Sequence, residues 1–406
     1  MSFLFRAGLL ALLLLVQACA TTQAPEPARA VVMVSIDGLP ATVPGSGRMP
    51  VLDAIAREGV QAAWLQPSYP TLTFPNHYTL ATGLRPDHHG IVNNNINDAV
   101  LGRYVSKQAS ARDGRWYGGE PIWATLQRQG GIAATMFWPG SEAEIAGQRP
   151  RHYKQFDGTL AVDARVDQVL AWLDLPVAQR PRLVTLYLEQ YDVASHASGM
   201  HSTQAKQALA IIDAGLARLR EGLRTRGIDD DVDLIVLSDH GMADVRAEDI
   251  RYLDDIVPAD AMDVESVGQM AWLSPKPGRE AEVERALVRR HDHFQCWRKA
   301  EAPPQWEFGR NPRIPPIICQ ADDGWRVWLH RWPTPTTLKG EHGFAPEDVG
   351  MRAVFTAVGP SFRSGVRLPA FDNVDVYPLL ARLLRITPAP NDGDIAPLLP
   401  ALQDDR

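Results

Sequence analysis

No basic stripe, internal repeat or low-complexity tract runs through this 406-residue sequence. Its 41 Lys and Arg are outnumbered by 48 Asp and Glu, for a net charge of −7. That balance argues against a protein that tracks along nucleic acid. The apolar run from Ala7 to Ala18 is shorter than the roughly 20 residues a membrane-spanning helix needs. With Arg6 before it and Ala18-Cys19-Ala20 after it, it reads instead as the core of a secretory signal peptide, residues 1–18. Cysteine is scarce, with three residues in all. Setting Cys19 aside with the signal leaves Cys296 and Cys319, an even pair in an exported chain, which predicts a disulfide. Two reduced, buried thiols are the alternative.

What is present begins with a tether. Residues 19–30 are polar and carry Pro25 and Pro27, so they have little capacity to bury themselves. The stretch Val16-Gln17-Ala18-Cys19 resembles the lipobox of bacterial lipoproteins, which implies a lipid anchor on Cys19; a plain secretory signal is the other reading. Residues 31–406 are enough for one large α/β unit or a core with an insertion.

Four short, nearly continuous apolar runs organise that unit: Val31 to Ile36, Leu183 to Leu188, Asp233 to Ser238 and Ala353 to Val358. Such runs are expected of strands covered on both faces in a parallel sheet. Helical patterns lie between them, at Pro50 to Glu58, Ala161 to Leu173 and Thr203 to Arg224. The last carries an apolar stripe of Ala208, Ile211, Ile212, Leu216 and Leu219. Alternating strands and helices predict a doubly wound sheet with helices on both faces. About residues 249–339, rich in Pro, Trp and Arg, break that pattern and read as a small α+β insertion containing the disulfide. Trp297, Trp306, Trp325 and Trp328 are expected to pack it.

Three of the four strands run into or near an aspartate: Asp37 after Ile36, Asp192 beyond Leu188, and Asp239 after Ser238. Ligands of open α/β sheets bind beyond the carboxyl ends of the strands, so these carboxylates should converge there. One strand-end Asp is usually a turn former or a cap. Three, two of them with histidines close by, point to a metal. Asp192 and His196 share one face if their stretch is helical. Asp239 and His240 can serve one ion if the chain bends at Gly241. His342 lies between Gly340 and Gly343, which let the chain approach a ligand closely. Mixed carboxylate and imidazole donors suit zinc, with manganese or another divalent ion as alternatives. Upstream, Thr71, Thr73 and Thr79 each offer a hydroxyl near a helix start, where capping and phosphate binding compete for one position.

The segment Thr71-Leu72-Thr73-Phe74-Pro75-Asn76-His77-Tyr78, with Gly83-Leu84 and His89-Gly90-Ile91-Val92-Asn93-Asn94, resembles the nucleophile region of nucleotide pyrophosphatase/phosphodiesterases. These belong to the alkaline phosphatase superfamily, and the likeness is especially close to their bacterial branch. It runs from Asp37 to the C-terminal Phe371 to Tyr377 and Pro388 to Gly393 segments. The resemblance implies an alkaline-phosphatase-like core, with a mainly parallel sheet flanked by helices, as a catalytic domain over residues 31–406. It also implies two zinc ions. Asp37, Asp239 and His240 match the ligands of the one that also binds the nucleophile, Thr73; Asp192, His196 and His342 match those of the second. Asn94 matches the residue whose amide supports a phosphoryl oxygen. Phe74 and Phe156 fall where relatives hold a nucleobase between aromatic rings, although Tyr is commoner at the second position.

The implied reaction is hydrolysis of nucleotide phosphodiesters and pyrophosphates to nucleoside 5′-monophosphates through a phospho-threonine. A threonine hydroxyl is barely ionised near neutral pH, so it needs an adjacent cation to become a nucleophile. A phosphate monoesterase and a lysophospholipid-type phosphodiesterase are the nearest alternatives. The Lys-x-Arg pattern of threonine-type alkaline phosphatases is absent around residues 150–160, which favours diesters, and a base-stacking pair favours nucleotides. A small-molecule nucleotide is therefore the expected partner, and the periplasm the expected location, with or without a lipid anchor at Cys19. His77, His88, His89 and the His291-Asp292-His293 run read as positioning, structural or solvated residues.

Overall fold

A computed structural model describes residues 29–334 and 339–404. The expected signal peptide, Cys19 and all but the end of the tether lie outside the described residues. Ala30, assigned to the tether, already begins the first strand.

Six strands lead into a central sheet: β1 (Ala30–Ile36), β2 (Val60–Ala62), β3 (Ala133–Met136), β4 (His152–Lys154), β5 (Leu183–Leu188) and β6 (Val232–Leu237). Five more then build a separate sheet: β7 (Met262–Ser266), β8 (Met270–Pro275), β9 (Arg290–His291), β10 (Phe294–Arg298) and β11 (Ile317–Ala321). The chain returns with β12 (Phe355–Val358) and β13 (Val366–Leu368), giving a central order β13-β2-β12-β6-β1-β5-β3-β4.

Every residue of β1, β5 and β6 is buried, which is why their sequences are continuous apolar runs rather than alternating ones. Val31 and Met33 point into one apolar core, and Val32, Val34 and Ile36 into another on the opposite face. The central strands pair in parallel with one reversal. The fourth apolar run was expected to be parallel, but β12 pairs antiparallel with both β6 and β2. The chain comes back from the second sheet through His342, at the carboxyl edge, so its next strand must run the other way.

Helices α1 (Pro50–Glu58), α2 (Thr73–Thr82), α3 (Val162–Leu173), α4 (Gln190–Ser198) and α5 (Thr203–Thr225) accompany this sheet. In α5, Ser202 accepts a hydrogen bond from Ala205 N–H at the start, and Leu209, Ile212, Leu216 and Leu219 are buried. Each such side chain contributes about 1.5–3 kcal/mol. Ile211, counted in the expected stripe, is 53% exposed because it sits one helical step off that face.

The second sheet is antiparallel, in the order β7-β8-β11-β10-β9, and Val283 and Leu287 of a short helix join its apolar core. Cys296 and Cys319 face each other across β10 and β11 and are joined by the expected disulfide. Trp306 does not pack within that sheet's core. It stacks on Tyr69 at 4.0 Å, tying the 249–339 region to the segment that leads into α2.

Candidate active site

Parallel register aligns the three strand ends. Ile36 of β1 lies opposite Leu188 of β5, and Ser35 opposite Leu237 of β6, so the residues that follow emerge together. Asp37 comes directly off β1, and Asp239 and His240 come off β6. Asp192 and His196 lie one turn apart in α4, and the chain returning through Gly340 and Glu341 brings in His342. Asp192 Oδ1 is 3.3 Å from His196 Nε2 and 3.6 Å from His342 Nε2. His240 Nε2 is 3.0 Å from Asp239 Oδ2, 3.4 Å from Asp37 Oδ1 and 3.3 Å from Thr73 Oγ1. The His240 and His342 rings stack at 3.7 Å, which joins the two halves.

Two triads have donor atoms within 4.8 Å of one another: Asp192, His196 and His342, and Asp37, Asp192 and His240. Asp192 therefore belongs to both. The resemblance gives it to one ion only.

Three observations fit this cluster to cations. Asp37 Oδ1, Asp192 Oδ1 and Asp239 Oδ2 are buried carboxylate oxygens that accept no hydrogen bond among the described residues. Orphaned buried charge is costly unless something pairs with it. Each histidine also has its Nδ1 tied to a backbone carbonyl, His240 to Gly241 at 2.9 Å, His196 to Gly340 at 2.7 Å and His342 to Thr71 at 2.9 Å. A carbonyl can only accept, so Nδ1 carries a proton and Nε2 is the nitrogen each ring turns toward the cluster. The third observation is electrostatic crowding. Burial, with the charges of Asp239 and Asp192, holds the Asp37 carboxyl well above its usual range. Burial also works to raise Asp192, but His196, His342 and His240 outweigh it and bring that carboxyl to about 2. His342 is pushed down to about 3 by burial and by neighbouring His240. His196, opposed by burial but paired with Asp192, rises to about 9, so a binding cation must displace its proton.

The local chain explains how Thr73 differs from its neighbours. Thr71 Oγ1 donates to the Phe344 carbonyl at 2.7 Å, and Thr79 Oγ1 meets His89 Nε2 at 3.0 Å. Thr73 opens α2, and the residue before it, Leu72, makes no side-chain cap. The Thr73 hydroxyl faces His240. Below it, His77 is fully buried: its Nδ1 donates to the Thr73 carbonyl at 2.9 Å, and its Nε2 accepts from Ser35 Oγ at 2.8 Å. His77 Nδ1 also lies 3.2 Å from Asp239 Oδ2, so it packs behind the donor cluster. Gly241 acts differently from expectation. It serves close packing, since a Cβ there would come within 2.0 Å of the Gly350 carbonyl. Gly340 likewise lets the chain lie against Ser195 of α4.

Asn94 Oδ1 accepts from Phe74 N–H at 3.0 Å, which fixes the amide and leaves its NH2 free to donate. That bond also occupies the Phe74 backbone N–H, one of the groups near Thr73 available in principle to a phosphoryl oxygen. Thr73, Asn94, Asp192, His196 and His342 line one cleft of about 510 Å³. Phe74 and Phe156 line an adjoining slot of about 70 Å³, with Phe137 and Tyr187 behind Phe156.

All eight polar residues singled out in the sequence thus meet at one place, and both phenylalanines border it. Two further residues were not legible. Tyr187 donates from its hydroxyl to Asp37 Oδ2; its only sequence signal is a polar tip inside an apolar strand. Lys107 lines both the cleft and the slot but sits alone in a loop, with no pattern to mark it. The residues set aside have other partners. His88 pairs with Asp392, and His293 stacks on Trp325 at 3.5 Å. The arginines of α5 and its end pair with Asp167, Glu58, Glu221 and Asp174.

Comparison with known proteins gives this geometry a lineage. A family model described as type I phosphodiesterase / nucleotide pyrophosphatase matches residues 31–345. The venom phosphodiesterase CdcPDE of Crotalus durissus collilineatus is 36% identical over 361 residues, covering 85% of this chain and 43% of that protein. Ectonucleotide pyrophosphatase/phosphodiesterase family member 3 of Rattus norvegicus is 33% identical over 400 residues, covering 93% of this chain and 45% of that one. The chain therefore spans less than half the length of these curated relatives. Among solved structures, an inactive threonine-to-alanine form of murine ectonucleotide pyrophosphatase/phosphodiesterase 5 in complex with AMP superposes with a TM-score of 0.88 at 29% identity. It covers 92% of this chain and 100% of that one. The human counterpart gives 0.88 at 30% identity, over 93% and 100%. The mixed α/β fold with a mostly parallel central sheet is thus shared across these structures, and the chain belongs to the type I phosphodiesterase / nucleotide pyrophosphatase family.

Proposed function

We propose that this chain is a two-zinc hydrolase of nucleotide phosphodiesters and pyrophosphates that releases nucleoside 5′-monophosphates through a phospho-threonine at Thr73. The observation that carries the reading is the Thr73 hydroxyl held 3.3 Å from His240 beside three buried carboxylate oxygens that accept no hydrogen bond among the described residues. Asp37, Asp239 and His240 would hold one zinc and Asp192, His196 and His342 the other, with Asp192 placed to reach both. Zinc at these positions would lower the pKa of adjacent oxygen acids and offset charge on the phosphoryl group.

The chain's own residues supply the rest. Phe74 and Phe156 flank the base, and stacking there is worth about 1–3 kcal/mol. Asn94, held by Phe74 N–H, turns its NH2 toward a non-bridging phosphoryl oxygen. Thr73 Oγ1, having lost its proton, bonds to phosphorus. The opposite P–O bond breaks, and its electron pair leaves with the alcohol or phosphate, which takes a proton from water. Water then attacks the phospho-threonine, restoring the hydroxyl and releasing the 5′-monophosphate after two inversions. The AMP held by the murine relative supports a nucleotide as the ligand.

The test compares the nitrophenyl ester of AMP, nitrophenyl phosphate and a choline phosphodiester, with and without chelator. The AMP ester should be preferred, and chelator should abolish turnover that zinc restores. Thr73→Ala should lose about a thousandfold or more in kcat. Full activity in Thr73→Ala refutes the nucleophile, and preference for nitrophenyl phosphate refutes the diester assignment. The same reading takes residues 31–406 as the catalytic unit with an insertion at about 249–339, delivered to a bacterial periplasm by residues 1–18 and anchored by lipid at Cys19. The intact mass of membrane-extracted protein tests the anchor.

A further inference from the structure

The two walls of the cleft differ in charge. On the side of the aromatic slot stands Lys107, whose ammonium lies 5.6 Å from the centre of the Phe156 ring. Its backbone is in the left-handed region, at φ 62°, a conformation that costs energy in a residue with a side chain. It is the one lysine or arginine among the described residues lining the cleft. On the other side the wall is Val193 and Ala197 of α4. They are i, i+4 neighbours and so share a face, beside the equally spaced Asp192 and His196. Val193 is 54% exposed, a large apolar side chain facing water at the mouth of a polar cleft.

A base between Phe74 and Phe156 and a phosphorus beside Thr73 and Asn94 place Lys107 on the nucleoside side. Of the cleft residues that remain, Asp192, His196 and His342 are the donors assigned to a zinc, which leaves Val193 and Ala197 as the wall a departing group can cover. We infer that this wall is a subsite for an uncharged, carbon-rich leaving group, an aryl or alkyl alcohol or a nucleoside, so that singly charged nucleotide diesters are preferred over nucleoside triphosphates. The inference rests on the nucleotide-hydrolase reading and narrows it. A pyrophosphate leaving group would shed water against two apolar side chains with no lysine or arginine beside it, at a cost an alcohol does not meet. A carbon-rich group instead covers Val193 and Ala197. The bond changes are those of the hydrolysis itself: the leaving oxygen keeps the electron pair of the broken P–O bond and is protonated by water.

The experiment uses ATP and the nitrophenyl ester of AMP, which share adenosine and α-phosphate and differ only in what departs. kcat/KM is measured for both in the native protein and in Val193→Lys and Ala197→Lys, two substitutions at exposed positions. Comparing native with variant ratios cancels the intrinsic reactivity of the leaving groups. Each lysine should shift the ratio toward ATP by about fivefold, the size of one partly exposed ion pair. A second readout is equilibrium binding to Thr73→Ala protein by calorimetry, where the ester should bind at least as tightly as ATP and adding Val193→Lys should reverse that order. Unchanged ratios in both lysine variants, or tighter binding of ATP without either lysine, overturn the inference. Turnover of neither compound counts against the hydrolase reading instead, and the binding comparison then decides the subsite on its own.

Discussion

Replacing Asp37 by asparagine should stabilise the metal-free protein and destabilise the zinc-loaded one. In the metal-free state three carboxylates share a buried site, and Asp37 is the one of the three whose carboxyl is raised, by burial and by the charges of Asp239 and Asp192. The asparagine amide would keep an oxygen to accept from the Tyr187 hydroxyl and would turn two N–H donors toward carboxylate oxygens that accept nothing. Replacing buried charged groups by neutral ones of similar volume is often neutral or stabilising, by up to about 4 kcal/mol. Unfolding entropy of about 2.1 cal/mol/K per residue, over roughly 370 described residues, gives about 0.8 kcal/mol/K. A gain of about 2 kcal/mol then appears as a rise in Tm of about 2–3 °C in chelator. On the proposed zinc reading the sign should reverse with excess zinc, because the variant would lack a ligand and forfeit part of the roughly 4 kcal/mol that a cation at a thousand times its Kd confers. The pH dependence follows from the direction of the shift. A carboxyl whose folded pKa lies above its unfolded value costs stability once the pH exceeds the unfolded value, near 4. The advantage of Asp37→Asn in chelator should therefore grow as the pH rises from about 4 toward the raised folded pKa, and vanish at about pH 4. Thermal unfolding of both proteins in chelator and in zinc, at about pH 4 and about pH 7, is the assay. A variant that is equally less stable in chelator and in zinc would refute the account of Asp37 as a charge held in place for a cation.

Other substitutions separate the remaining parts of the site. Phe156→Ala should raise KM for the nitrophenyl ester of AMP about tenfold or more, as loss of stacking predicts, and leave turnover of a diester without a base unchanged; equal losses on both would remove Phe156 from the slot. Asn94→Ala should lower kcat about a hundredfold, the usual loss of one aimed donor, whereas a change confined to KM would mean the amide does not act on the reacting group. Arg165 is fully buried, donates to both Glu189 oxygens and to the Tyr187 carbonyl, and so braces the end of β5 where it passes into α4, the helix of Asp192. Arg165→Met should cost about 3–5 kcal/mol in denaturant unfolding, partly recovered with Glu189→Gln, because the lone charge is then gone.

The sheet was readable because β1, β5 and β6 are covered on both faces and so write themselves as unbroken apolar runs. The reversal of β12 was not, since strand direction depends on where the chain re-enters and not on what the strand contains. At the site, Asp37, Asp192 and Asp239 were visible from strand ends, and His196 from its helical spacing to Asp192. Composition and spacing alone could not choose among Thr71, Thr73 and Thr79. The choice came from resemblance, and the structure adds that the Thr71 and Thr79 hydroxyls are already engaged. Lys107 stayed hidden because a positive φ leaves no trace in a lysine's identity. Tyr187 stayed hidden because its hydroxyl contact lies across strands.

The carbonyls that orient two of the three imidazoles come from distant parts of the chain, whereas His240 leans on Gly241 beside it. His342 leans on Thr71, 271 residues away, and His196 on Gly340, 144 residues away. The donor set therefore cannot be assembled piecemeal as a chain folds. An intermediate in which the 249–339 region has not yet docked has Thr71 but no His342 upon it, and α4 without Gly340 to turn His196. Metal uptake by this set would then require these long-range closures to be already made. A divalent ion bound by this donor set would act as a latch on finished molecules, holding those that have closed every loop and giving nothing to those that have not.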